Sequence, residues 1–103
     1  MYKFVFFVPE DNLEAVKDAV FATGAGRIGD YERCCFEMKG EGQFRPTEGA
    51  QPHIGVVGSI ERVEEYRVEL VCEDNLIRAA VAAMKKAHPY EEPAYDVWQL
   101  ADL

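Results

Sequence analysis

Residues 2 to 8, YKFVFFV, are apolar on both alternating sets. That pattern suits a strand covered on both faces, so this segment is predicted to lie centrally in a sheet. Behind Pro9-Glu10-Asp11-Asn12, Leu13, Val16, Val20 and Thr23 recur at helical spacing, with acids in the first turn and Gly24 as the stop. Residues 31 to 38, YERCCFEM, alternate, which predicts a half-exposed strand with Cys34, Phe36 and Met38 inward and Arg33, Cys35 and Glu37 outward. From 40 to 58 runs GEGQFRPTEGAQPHIGVVG, five glycines and two prolines among nineteen residues, a loop with at most a short extended piece at Ile54 to Val57. Arg62 to Cys72 reads as a long strand, with Tyr66, Val68, Leu70 and Cys72 inward and Arg67 and Glu69 outward. Glu73-Asp74-Asn75 is predicted to cap a second helix whose stripe is Leu76, Ile77, Ala80, Val81 and Met84 and whose last turn carries Lys85 and Lys86. Ala94 to Leu100 completes the series as a strand.

Strand, helix, strand, strand, helix, strand in 103 residues is the α+β, ferredoxin-like βαββαβ sandwich: a four-stranded antiparallel sheet with two helices on one face. The chain is expected to be a single domain, 1–103. Its other sheet face, with Arg33, Cys35, Glu37, Arg67 and Glu69, must meet something, and a second subunit is the expected cover, in a dimer or trimer.

Charge narrows the partners. Nineteen acids against eleven bases give a formal charge of -8, which excludes nucleic acid and anionic membrane and favours cations or basic proteins. The apolar run at the start stops at Val8, too short for a signal peptide, and no stretch approaches the roughly 20 apolar residues of a membrane span. Three cysteines, two of them adjacent, point away from a disulfide framework and to a reducing cytoplasm.

Gly24-Ala25-Gly26-Arg27-Ile28-Gly29 matches the dinucleotide pattern G-x-G-x-x-G, but it leaves a helix C-terminus, where the dipole repels a pyrophosphate. It reads as a turn. Cys34 and Cys35 cannot both reach one ion from a regular strand; Cys34 is expected in the core, and Cys35 on the polar face or at a subunit boundary. The segment HPYEEPAYDV, residues 88 to 97, has two readings. It is either the corner by which the second helix hands the chain to the last strand, or part of a ligand shell in which His88, Glu91 and Glu92, stiffened by Pro89 and Pro93, hold a divalent cation. The missing ligands would come from His53 or Glu48 in the loop, or from a neighbouring subunit, with Cys35 a further candidate. Phe44-Arg45-Pro46 is either a ligand-binding loop, with backbone amides near an anion, or a flexible oligomerisation arm, and the whole loop from Gly40 to Gly58 could instead dock on a protein partner. No nucleophile with a paired base and orienting acid is visible, so no catalytic residue is assigned.

The strings GAGRIGDYERCCF, GEGQFRPTEGAQPHIG and HPYEEPAYDV, in that order, resemble the domain inserted in many bacterial members of the NIF-three-like family, also called YqfO-like. That domain is similar in fold to the PII signalling proteins and to CutA, the divalent-cation tolerance protein. The resemblance spans nearly the whole chain. It implies a stand-alone PII/CutA-like domain with an oligomeric habit. The longer members are often labelled GTP cyclohydrolase type, but the two-metal site of those proteins belongs to flanking halves absent from this sequence. Cys35 stands where a serine is usual and His53 where an apolar residue is usual, and both are metal-capable. The expectation is a small oligomeric binding module that senses or sequesters a ligand, with a divalent metal cation the first candidate. The alternatives are a structural or regulatory protein-interaction domain and, on family label alone, a nucleotide hydrolase.

Overall fold

The apolar N-terminal run becomes the strand β1, Tyr2–Pro9, and it lies in the middle of the sheet as its two-faced pattern requires. A 3-10 turn, Glu10–Asn12, leads into helix α1, Leu13–Phe21, whose Leu13, Val16 and Val20 are buried. Strands β2, Phe36–Phe44, and β3, Glu61–Cys72, form a long hairpin; helix α2, Ile77–Ala87, and strand β4, Tyr95–Gln99, follow. The computed structural model describes residues 1–103. All strand pairs are antiparallel in the order β2-β3-β1-β4, the ferredoxin-like, CutA-like arrangement expected from the sequence. No helix is long and apolar enough to cross a membrane.

The core lies between the sheet and the helices. Phe4, Phe6 and Val8 of β1 and Val68, Leu70 and Cys72 of β3 meet Val16 and Val20 of α1 and Ala80 and Met84 of α2, all of them buried. Phe4 packs edge-on against Tyr95 of β4, ring centroids 6.3 Å apart.

The second strand departs from expectation in place and in phase. It begins at Phe36, not at 31, and runs through Gly40 and Gly42 to Phe44, so the loop occupies 45–60 and not 40–58. Residues 31 to 35 cannot extend it, because Ile28 and Tyr31 close a tight turn and Arg33 is left-handed, with φ 58°. Met38 and Phe36 face Arg67 and Glu69 in the ladder, which puts them on the open face, 46% and 63% exposed. Glu37, expected outward, is opposite buried Val68 on the helix side, where Lys17 of α1 binds it at 2.7 Å. The open face therefore carries Phe36, Met38 and Trp98 with Arg67 and Glu69, in place of Arg33, Cys35 and Glu37. Cys35 is half-buried against the core, and Cys34 is half-buried without joining it. Ile54 to Val57 form no strand.

The Gly24–Gly29 run is a turn. Gly26 has φ 83° and its missing side chain matters, since a Cβ there would stand 2.7 Å from the Phe21 ring. The predicted cap of α2 is also not made: no side chain bonds its first amides, and Asp74 instead binds the N-terminal ammonium of Met1.

Candidate functional site

β3 has twelve residues and β1 only eight, so the β2–β3 hairpin overhangs the sheet and presents the 45–60 loop beyond it. The loop is folded on itself: Gly58 N–H donates to Pro46 O at 2.8 Å and Ala50 N–H to Thr47 O at 3.1 Å. Several of its amides are thus spent internally, which weighs against the anion-cradling reading of Phe44-Arg45-Pro46.

The opposite wall is the corner after α2. His88 has extended geometry, φ -74° and ψ 140°, as a residue before proline prefers. Its ring turns back under the sheet end. Nε2–H donates to Phe7 O at 2.7 Å, and Nδ1 accepts the Tyr90 N–H at 3.1 Å. Phe7 N–H already bonds Ala94 O, so the His88 ring takes the ladder position that a backbone amide of the last strand would otherwise fill. These partners fix the neutral tautomer and engage both ring nitrogens. Burial pushes the His88 pKa below its usual value, the Phe7 bond opposes this, and His53 adds to the lowering.

Loop and corner meet around Tyr90. Its ring lies 4.8 Å from His88, 6.3 Å from His53 and 6.2 Å from Phe44, centroid to centroid. Gln51 N–H donates to Glu91 Oε1 at 3.2 Å, tying the two walls across forty residues of sequence. Between them is a cleft of about 350 Å³, lined by Phe44, Arg45, Pro46, His53, Glu91 and Glu92 among the anticipated residues. His88 stands behind it under Tyr90, and Cys35 lies elsewhere, with Lys17 and Glu37 as its charged neighbours and its thiol pKa raised by burial. No group of three or more His, Cys, Asp or Glu side chains comes together at metal-binding spacing.

Two cleft residues went unassigned in the sequence. Tyr90 has a buried hydroxyl that lies beside Glu65 without a hydrogen bond of full geometry, and its pKa is pushed up to about 12, first by burial and then by the charge of Glu65 and its contact with the hydroxyl. Glu65, on β3, has its own pKa raised by burial. Its carboxylate occupies the notch above Gly42, where a Cβ would stand 1.7 Å from Oε1. Tyr90 was visible in the HPYEEP string, but Glu65 becomes apparent only through the β2–β3 register. Glu65 also lines a second hollow of about 340 Å³ on the open sheet face, beside Phe7, Met38 and Arg67.

No family model matches the chain. A GTP cyclohydrolase 1 type 2 homolog of Mycobacterium tuberculosis is 52% identical over 98 residues, 95% of this chain. A Bacillus cereus protein related to NIF3, of known structure, is 44% identical with a TM-score of 0.84, over 98% of this chain. The chain is homologous to one segment of these NIF3-related proteins. It spans about a quarter of their length, 26% in both cases. The NIF3-related segment shares its fold with smaller proteins as well: the periplasmic divalent cation tolerance protein CutA of Archaeoglobus fulgidus superposes with a TM-score of 0.70 at 13% identity, over 99% of this chain and 86% of that one.

Proposed function

We propose that this NIF3-related segment is a small binding module that senses or sequesters a cation in the cleft between the 45–60 loop and the 88–94 corner. The observation that carries this is the charge of the cleft: Glu65, Glu91 and Glu92 converge there against Arg45 as the one guanidinium, in a chain of formal charge -8. A divalent metal is the smallest occupant, and the same fold carries the name of a divalent cation tolerance protein in CutA. His53, Glu91 and Glu92 line the cleft as candidate ligands but do not gather at metal-binding spacing within one chain, so a metal would need a rearranged loop and further donors from a second copy, with His88 holding Tyr90 from behind. Self-association as a dimer or trimer is supported by the uncovered Phe36, Met38 and Trp98 on the open face. Three free cysteines fit a reducing, cytoplasmic setting.

Calorimetric titration of the demetallated protein with zinc, copper and cobalt tests the metal form of this reading. Micromolar binding that weakens in His53→Ala and in the double variant Glu91→Gln, Glu92→Gln is expected. No heat with any of the three ions would overturn the metal form of the reading.

A further inference from the structure

A divalent ion held by Glu91, Glu92 and His53 would leave Glu65 and the aromatic faces of the same cleft unused. Metal sites gather several donors at about 2.0–2.6 Å, and no such group forms here. The cleft's volume of about 350 Å³ instead falls in the roughly 300–1,000 Å³ range of small-molecule sites. Its walls include Phe44, Pro46 and Ile54, and the tilted rings of Phe44 and Tyr90 offer faces that attract cations. The Tyr90 hydroxyl is buried beside Glu65, which leaves the ring as the part of Tyr90 that faces an occupant. Glu65 is the only acidic side chain that β3 contributes to the cleft, so it offers one carboxylate. A primary ammonium has three donors and no acceptor, and it can bond the Glu65 carboxylate while its charge rests on the aromatic faces.

Resting on the reading of the cleft as a cation site, we infer that its ligand is a protonated primary amine on an apolar body, the ammonium at the Glu65 carboxylate against the Tyr90 ring and the body on Phe44, Pro46 and Ile54. Such an amine is either free or the side chain of a lysine on a partner protein.

Isothermal titration in the presence of chelator, with hexylamine, its neutral counterpart 1-hexanol and a lysine-containing peptide as probes, tests this. Hexylamine is expected to bind at least about tenfold more tightly than hexanol, the scale of one charge-assisted hydrogen bond, and Glu65→Gln to remove that preference. Gly42→Ala is a second variant, which keeps the carboxylate but drives it from its notch, and it is expected to weaken hexylamine similarly while melting like the wild type. Tighter binding of the peptide than of hexylamine assigns the amine to a protein partner; the reverse order assigns it to a free metabolite. Equal binding of hexylamine and hexanol, or no loss in Glu65→Gln, overturns the inference. Binding of zinc, copper or cobalt without any amine binding overturns it while leaving the cation site intact. Failure of metals and amines alike removes both.

Discussion

Replacing His88 by alanine separates a structural role from a metal role. The ring is 7% exposed and makes two hydrogen bonds to backbone, with Phe7 O and Tyr90 N–H. Alanine removes both, and a polar group stranded in this way costs about 1–3 kcal/mol. With partial access of water to the corner, a loss of about 2–4 kcal/mol is expected, a large share of the roughly 5–15 kcal/mol that holds a small domain. At about 4–8 °C per kcal/mol, the melting point should fall by on the order of 10–20 °C. The measurement is guanidinium unfolding of wild type and variant in excess chelator at pH 7.5, repeated down to pH 5. Burial lowers the folded-state pKa of His88 below its usual 6.5. As pH falls through 6.5 the unfolded chain therefore takes up a proton that the native state refuses, and wild-type stability declines by up to about 1.4 kcal/mol per pH unit from this group. The alanine variant lacks that slope, so the gap between the two proteins narrows with acid. A loss below about 0.5 kcal/mol in chelator, or a gap that stays constant with pH, would refute the account.

Other perturbations probe the rest of the structure. Gly26→Ala must accept φ 83° and a contact of 2.7 Å with Phe21, whereas Gly29→Ala, at φ 57°, meets nothing within 4 Å; thermal melts should show Gly29→Ala losing about 1–2 kcal/mol and Gly26→Ala losing more, and equal losses would contradict the packing described at Gly26. Phe36→Asp places an acid opposite Glu69 at a position that is 63% exposed, so under the proposed self-association sedimentation should show a smaller assembly than wild type, at a cost to monomer stability of no more than about 1 kcal/mol; an unchanged assembly would show that the open face is not the contact. Glu65 has a raised pKa from burial, so its charged form is penalised in the native state. Glu65→Gln is expected to unfold at higher denaturant than wild type at pH 8, and the advantage should begin to shrink as pH falls through the raised folded-state pKa of Glu65 and vanish only below its unfolded-state value of 4.5. A constant advantage across pH would exclude that cause.

Five of the six main elements could be read from local pattern because pattern and packing agree there. β1 is apolar on both sides and is central; α1 and α2 carry stripes that end up in the core; Val68, Leu70 and Cys72 of β3 alternate inward. β2 failed for two reasons of tertiary origin. Gly40 and Gly42 look like breakers, but nine consecutive pairings with β3 hold them extended. Phe36 and Met38 look like core residues, yet at the sheet edge the helix-side space beside Val68 is taken by Glu37 and its ion pair with Lys17. The same holds for the site. The two strings that form the cleft were visible separately, but their meeting depends on the overhang of β3, and Glu65 depends on a register that no single segment encodes.

Glu65 also stands as a partition. Its carboxylate borders the cleft on one side and the open-face hollow of Phe7, Met38 and Arg67 on the other. Whatever draws it toward one compartment withdraws it from the other, so the proposed cleft ligand and a neighbour seated on the open face would compete for or share a single charge. Thermodynamic reciprocity makes that a two-way relation: if occupancy of the cleft alters the tendency to assemble, dilution must alter the affinity of the cleft by the same factor. Binding isotherms recorded at widely different protein concentrations would then fail to superimpose, without any lever arm longer than one side chain.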